Sequence, residues 1–412
     1  MKTTKLFLTI ILLFALKTSM AQETWYEHWA YPNSNFNSVS IYNYFFDGIA
    51  CGDLGIITHW EQGVDDFWMP NNYLITNQNL NAVYEIDSLN YLKAYIVGDS
   101  GIILKTNSNF GFGDIPFYKQ SSPTTRNLYS VNFPVYMLGI AVGDTGTIVR
   151  TTDGGSHWNL ISSITLNRLY SVQFPSTNIG YAVGVNGTVI KTTDGGESWV
   201  MKTQAIADTL HCVWFTDDNT GFVVSRNGLI YKTTDGGNNW QNKPSGITQN
   251  LNAIRFASAS IGYAAGNDNK LLRTDDNGET WTLQTLPAIS NQGHYKGIGI
   301  STIGEVSLVG SNGTALGNYP DGGSIQKYGN NREVKITPNP AKNKITIYLQ
   351  NNKNFSGLEL FIYNLQGQMV LQQTFKQNNS EIDISQLEEG IYIAEIRMSD
   401  VSYRQEKFVV VK

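Results

Sequence analysis

Four tryptophans, Trp158, Trp199, Trp240 and Trp281, follow one another at a constant interval of 41 residues. A fixed period of that length means that one supersecondary unit has been copied. Each copy can bury its apolar face only against the next. The rest of the unit repeats in phase. Leu128-Tyr-Ser-Val131 returns as Leu169-Tyr-Ser-Val172, Leu210-His-Cys-Val213 and Leu251-Asn-Ala-Ile254. A Gly-aromatic-apolar run follows each, such as Gly180-Tyr-Ala-Val-Gly184 and Gly262-Tyr-Ala-Ala-Gly266, and then a turn, an apolar strand and the Trp.

A second feature counts the copies independently. The turn after the second strand reads Gly52-Asp-Leu-Gly55, Gly98-Asp-Ser-Gly101, Gly143-Asp-Thr-Gly146, Gly184-Val-Asn-Gly187, Ser225-Arg-Asn-Gly228, Gly266-Asn-Asp-Asn269 and Gly310-Ser-Asn-Gly313, which makes seven. Phe36-Asn-Ser-Val39, Leu80-Asn-Ala-Val83 and Tyr295-Lys-Gly-Ile298 are diverged copies of the first strand. Four short strands in about 40 residues is the content of a propeller blade. A linear stack would leave two apolar faces bare, and a ring leaves none. The expected fold class is all-β: a seven-bladed β-propeller followed by a small Ig-like β-sandwich. The seventh unit lacks a Trp-bearing fourth strand after Gly313, while the mature N-terminus begins Glu23-Thr24-Trp25, echoing Glu279-Thr280-Trp281. Residues 23–32 are therefore expected to supply the outer strand of the last blade.

The two ends set the organisation. Lys2 and Lys5 precede an apolar run from Leu6 to Leu16, and Ser19-Met20-Ala21 offers small residues at a cleavage site, so 1–21 reads as a secretory signal peptide. The run is too short for the ~20 residues of a spanning helix. The propeller is assigned to 22–317, a Gly/Asn-rich linker to 318–333 and a second module to 334–412. The whole chain has a formal net charge of −5, and removal of a leader that carries lysines and no acid makes it more acidic. That argues against nucleic acid, which is bound through basic patches. Cys51 and Cys212 fall in blades on different sides of the ring, so buried free thiols are expected rather than a disulfide. No metal spacing joins the histidines, no nucleophile elbow or phosphate loop is present, and no cofactor is expected.

Between the third and fourth strands stands Thr151, Asp153, Gly155 and Trp158, then Thr192, Asp194, Gly196 and Trp199, then Thr233, Asp235, Gly237 and Trp240, then Thr274, Asp276, Gly278 and Trp281. Asp can accept amides within its own turn, Gly tolerates positive φ, and Trp anchors the outer strand. This Thr-x-Asp-x-Gly-x-x-Trp pattern resembles the Asp-box, or BNR repeat, of bacterial sialidases and related propellers. Four equivalent aspartates spread around a ring cannot form one catalytic carboxylate pair, so a structural role is expected and no catalytic residue is assigned. Sialidase chemistry itself is disfavoured: there is no arginine before Arg126 and no Arg-Ile-Pro motif. The longer phrase Gly-Tyr-Ala-Val-Gly-x-x-Gly-Thr-x-x-x-Thr-Thr-Asp-Gly-Gly-x-x-Trp looks like the propeller family of the photosystem II assembly and stability factor. That resemblance implies a non-catalytic, protein-binding ring.

The strand 2–3 turns and strand 4–1 connections are expected to open on one face, away from the boxes. There Asp53, Asp99 and Asp144 form an acidic arc, with Arg126, Arg168 and Arg226 as basic candidates for a binding face. Longer aromatic-bearing connections, Trp60–Asn79 and Phe110–Tyr118, add to it, because propellers place recognition in loops.

In 334–412 the rhythm changes. Pro338-Asn-Pro340, Lys344-Ile-Thr-Ile-Tyr-Leu349, a Tyr363-Asn-Leu-Gln-Gly-Gln368 hairpin, Gly390-Ile-Tyr392 and the end Lys407-Phe-Val-Val-Val-Lys412 describe a compact antiparallel sandwich of about seven strands. It closely resembles the C-terminal sorting domain of the type IX (Por) secretion system of Bacteroidetes. The resemblance implies handling by that machinery, passage across the outer membrane, and attachment to the surface or release. The expected function is a secreted or cell-surface, non-enzymatic interaction scaffold with a protein or glycan ligand. A glycan-active hydrolase and a lectin-like propeller are the alternatives.

Overall fold

The structure, a computed structural model, describes residues 25–27, 34–41, 48–60, 68–70, 75–88, 91–106, 116–202, 206–287, 293–301, 304–318, 334–338, 340–349, 358–364, 369–374, 379–398 and 401–412. The expected leader, the linker beyond Asn318, and parts of the two long connections in blades 1 and 2 lie outside them.

Gly-rich turns and runs of β-branched residues give strands and short 3₁₀ turns, and no α-helix forms among the described residues. No described helix is long and apolar enough to cross a membrane. Seven sheets of four antiparallel strands make up the propeller. Blade 4 is representative, with Leu169–Gln173, Gly180–Gly184, Val189–Thr192 and Val200–Lys202 running from inside to outside. The outer strand begins one residue after Trp199, so the box Trp is the last residue of the turn, and its buried ring meets Phe174 edge-on at 6.0 Å. In blade 7, Tyr295–Ile300, Val306–Gly310 and Ala315–Asn318 are joined by Trp25–Glu27, which pairs antiparallel with Ala315–Asn318. The inner strand of blade 1, Phe36–Ile41, packs against the inner strands of both blade 2 and blade 7, which closes the circle.

The blades adhere through aromatic layers. Phe215 of blade 5 stacks on Tyr181 of blade 4 with centroids 3.6 Å apart, and meets its own Trp240 edge-on at 6.1 Å. Phe133 repeats this with Tyr95 and Trp158, and Phe256 with Phe222 and Trp281. The edge-to-face contacts with the Trp rings are the arrangement that the ring quadrupole favours, while the close stacks of Phe215 on Tyr181 and Phe133 on Tyr95 lie almost face to face and hold through burial and dispersion. Polar staples run alongside. The Val172 amide donates to Ser130 Oγ of the preceding blade at 3.1 Å, and the Phe215 amide to Gln173 Oε1 at 3.1 Å. Arg150 Nε and Lys232 Nζ each donate to a carbonyl in the next blade's box turn, Gly195 and Asn277, at 2.9 and 2.6 Å. Cys51 and Cys212 are buried and free.

The C-terminal module has two sheets among the described residues. Val334–Thr337, Lys344–Leu349 and Asn379–Asp383 form one, and Met369–Thr374, Leu358–Asn364, Gly390–Met398 and Val401–Val410 the other. Ile345, Ile347 and Ile382 of the first share a core with Leu360, Ile362, Ala394 and Val410 of the second. Sheet-on-sheet burial of alternate residues makes this a sandwich.

Candidate functional site at the channel mouth

The two ends of a blade differ in how their polar groups are spent. At the box end, Thr192 Oγ1 donates to Asp194 Oδ1 at 2.7 Å and accepts the Gly196 amide at 2.9 Å. The same carboxylate accepts the Ser198 amide at 2.9 Å and its hydroxyl at 2.5 Å. Gly196 holds φ at +82°, a left-handed conformation that side chains rarely adopt. Thr151–Asp153, Thr233–Asp235 and Thr274–Asp276 repeat the bond at 2.8–2.9 Å.

The carboxyl of Asp153 is pulled down to about 2, first by the His157 amide, against the opposing effect of burial. Burial alone would raise Asp194 and Asp235, but donors from Ser198 and Asn239 outweigh it and hold both at about 2. A depressed folded pKa stabilises above the unfolded value, 3.8, and that stabilisation disappears as pH falls through about 2. Asp194→Asn is therefore expected to be less stable than wild type at neutral pH. The gap should shrink to nothing as the solution is acidified from about pH 4 to pH 2, measured by urea unfolding at each pH. A gap independent of pH would contradict the assignment.

The opposite end carries the strand 2–3 turns, and six of them donate an amide to the connection entering their own blade. Examples are Asp53 to Asn35 O, Asp99 to Asn79 O and Asp144 to Asn127 O, all at 2.9 Å. Turns and connections thus share one face. A β-bulge opens the inner strand here in every blade, because the register skips one residue after the first pair. The skipped residues are Asn37, Asn81, Tyr129, Tyr170, His211, Asn252 and Lys296. A bulge re-aims its extra side chain, and these seven form a ring around the mouth of the axial channel.

Most of that ring is used for holding blades together. Asn37, Asn81, His211 and Asn252 each donate to the first inner-strand carbonyl of the following blade, at Leu80, Leu128, Leu251 and Tyr295, over 2.7–3.0 Å. Lys296 Nζ reaches Asn37 Oδ1 at 2.8 Å across the closure. The acids of the expected arc are engaged too. Asn35 and Asn37 both donate to Asp53, and Asn79 and Asn81 both donate to Asp99, at 2.8–3.0 Å. Just outside the ring, an Asn oxygen before the inner strand accepts a turn amide of the preceding blade at Asn35, Asn79, Asn127 and Asn250.

Blades 3 and 4 break this pattern at adjoining positions. Arg168 stands where the bridging Asn would be, and its Nε pairs with Asp144 Oδ1 at 2.5 Å. Its guanidinium lies over Tyr129 at 5.1 Å and Tyr170 at 5.6 Å, and Nη1 donates to the Tyr170 hydroxyl at 3.1 Å. The Tyr129 hydroxyl turns to Asp144 Oδ2 at 3.3 Å instead of the next blade's carbonyl. Tyr129 and Tyr170 lie 5.5 Å apart, and Tyr170 meets His211 edge-on at 6.0 Å. Burial holds His211 below the ordinary imidazole range, and its Nδ1–H donates to the Leu251 carbonyl. Arg126 and Arg226 are exposed on the same face beside this cluster. The structure brings Asp144 and Arg168 together, and leaves Asp53 and Asp99 in blades of their own. Tyr129, Tyr170 and His211 were missed as site residues by the sequence reading. Their signal was there, as the second position of the inner-strand phrase, which carries Asn, Tyr, His or Lys in the seven copies while the first and fourth positions stay apolar or aromatic. Among the described residues no group of three or more His, Cys, Asp or Glu side chains could hold a metal ion.

Comparison with known proteins agrees with this architecture. Residues 114–200, 160–242 and 203–305 match the family described as photosynthesis system II assembly factor YCF48, and residues 335–412 match the secretion system C-terminal sorting domain. No curated protein matches the chain. YCF48 from Cyanidioschyzon merolae is similar in structure, with a TM-score of 0.59, 16% identity, and coverage of 72% of this chain and 99% of that one. A structure described as YCF48 bound to D1 peptide gives 0.59 and 16%, covering 74% of this chain and 96% of the other. The WD40 β-propeller domain of Doa1 gives 0.58 and 14%, over 72% and 97%. At these identities the structural likeness speaks for the fold alone. The chain is an Asp-box β-propeller resembling the photosystem II assembly factor family, joined to a secretion-system C-terminal sorting domain.

Proposed function

We propose that this propeller is a non-enzymatic interaction scaffold. It is exported by the type IX machinery through residues 334–412 and displayed on the cell surface or released. Its ligand, a protein segment, sits on the mouth of blades 3 to 5. The observation that carries this reading is the local loss of the stapling pattern. Five blades use the bulge side chain to hold a neighbour, while Tyr129 and Tyr170 give up that stabilisation for a cluster with Arg168 and Asp144. Departures from an otherwise consistent design concentrate at functional positions. Tyr and Arg are also the side chains that dominate protein interfaces. The box aspartates are proposed as corner staples, since each carboxylate is filled by donors of its own turn. Asp53 and Asp99 are similarly committed to amides, which supports binding over acid–base chemistry on this face. Asp53, Asp99, Arg126, Asp144, Arg168 and Arg226 remain the proposed surroundings of the ligand.

The aromatic cluster also favours a second reading, a glycan ligand. Both are separated by presenting the full chain to a glycan array and to proteins of the producing cell's surface. Tyr170→Ala with Arg168→Ala is expected to abolish capture of the partner, and Asp235→Asn at the opposite end is expected to leave it intact. Capture that survives the mouth variants would refute the assignment. Glycan binding would replace the protein reading, and hydrolysis of a defined glycan would end the scaffold reading altogether.

A further inference from the structure

An Asn-Gly pair carries its own nucleophile. The glycine amide nitrogen can attack the Asn side-chain carbonyl carbon, and glycine has no Cβ to hinder it. Four such pairs stand among the described residues, Asn186-Gly187, Asn227-Gly228, Asn277-Gly278 and Asn312-Gly313, and three box corners join Asp to Gly. In all but one of them the fold has engaged the glycine amide. Gly187 donates to Asp208 O at 2.6 Å and Gly313 to Ser34 O at 2.5 Å. Gly278 donates to Thr274 Oγ1 at 2.9 Å. In the boxes, Gly154, Gly195 and Gly236 donate to Met137 O, Asn178 O and Asn219 O at 2.9–3.0 Å.

Gly228 is the exception, and its amide meets no acceptor among the described residues. Asn227 is exposed on the strand 2–3 turn of blade 5, where its backbone amide donates to Asn250 Oδ1 at 3.2 Å. Its carboxamide has no hydrogen-bond partner among the described residues. Asn186, by contrast, ties its Nδ2 to Asn167 Oδ1 at 3.4 Å. Backbone shape does not separate the four, since each Asn is left-handed with φ between 55° and 60°. From that shape the following peptide plane has to rotate before its nitrogen can reach the side chain. A bonded amide must first give up its acceptor, and Gly228 has none to give up.

We propose that Asn227 is a site of spontaneous deamidation, a covalent modification that places a negative charge at the mouth beside Arg226. The Gly228 nitrogen loses its proton to water and bonds to Asn227 Cγ. The Cγ–Nδ2 bond breaks, ammonia leaves with the proton returned through water, and a succinimide ring closes. Water opens that ring at either carbonyl and yields aspartate or its β-linked isomer. One water enters and one ammonia departs overall. The product changes the charge of a face on which Arg126 and Arg226 are exposed. The reaction does not depend on which ligand the mouth holds.

Peptide mapping by mass spectrometry, on the full chain held in mildly alkaline buffer, tests the proposal, with isoaspartate-specific methylation and ammonia release as further readouts. Asn227 is expected to convert about threefold to tenfold faster than Asn186, Asn277 or Asn312, the advantage of one hydrogen bond that need not be broken. In concentrated urea the four rates should draw together, because each pair is then a plain Asn-Gly. Conversion of Asn227 no faster than the other three in the folded chain overturns the proposal. An order that persists unchanged in urea does the same, since the turn would then not be its source. The proposal also falls if Asn227 of the folded chain is intact when the urea sample has converted fully. Asn227→Gln is expected to remove the fast ammonia release, and release that continues in this variant rejects Asn227 as its origin.

Discussion

Phe215→Ala is expected to lose about 3–5 kcal/mol of stability, the range for emptying a buried aromatic position. The side chain is 2% exposed and serves two blades at once, lying flat on Tyr181 of blade 4 and edge-on to Trp240 of blade 5. Collapse around the hole is blocked from both sides. Gly221 is already as small as a residue can be, because a Cβ there would stand 2.4 Å from the Phe215 ring. The stacked pair should also show coupling. In a double-mutant cycle, the Phe215→Ala/Tyr181→Ala protein is expected to lose about 0.5–1.5 kcal/mol less than the two single losses added together. Urea unfolding of the four proteins measures both quantities. A Phe215→Ala loss below about 1 kcal/mol would mean that the blades are not held together through this layer.

The second large effect belongs to Gly184→Ala. Backbone freedom is not the reason, since Gly184 is extended with φ near −170°. The obstacle is space. A Cβ would lie 1.8 Å from the carbonyl oxygen of Arg168, the same oxygen that accepts the Val185 amide at 3.0 Å. Backbone cannot swing aside as a flexible side chain can, so the connection entering blade 4 must move. A cost of about 3 kcal/mol, the upper part of the overpacking range, is expected. Because the displaced residue is Arg168, partner capture should fall more steeply than stability does. Gly246→Ala provides the contrast. Nothing lies within 4 Å of its Cβ, and only a positive φ of +75° opposes the substitution, so about 1 kcal/mol and full capture are expected. Equal losses in the two variants would show that crowding at Gly184 is not the cause.

Period and phase carried the architecture in the sequence. The spacing of Trp158, Trp199, Trp240 and Trp281 and the seven strand 2–3 turns determine how many sheets form and where each turns. The box residues were equally legible, because Thr, Asp and Gly act on their own turn and need no distant partner. What escaped is what depends on the neighbouring blade. Tyr181 reads as an ordinary strand aromatic until Phe215, from the next copy, is laid on it. Asp53 and Asp99 look like free acids from spacing alone, yet Asn35, Asn37, Asn79 and Asn81 fill them. The bulge is the deepest gap. It turns the second residue of Leu-x-Ser-Val toward the mouth, and simple alternation along a strand gives no sign of it. Arg168 and Asp144 were within reach of loop reasoning, whereas Tyr129 and Tyr170 required that local irregularity.

The pairing of Trp25–Glu27 with Ala315–Asn318 has a consequence for a protein that leaves the cell as a growing or threaded chain. The first strand to emerge has to wait for the last before it finds a partner. Until then six sheets stand as an arc with two sticky rims, the slow and aggregation-prone stage of a topology built on distant pairings. Among the described residues Trp25–Glu27 and Phe36–Ile41 both meet blade 7, so completion of the circle is decided by the arrival of Tyr295–Asn318.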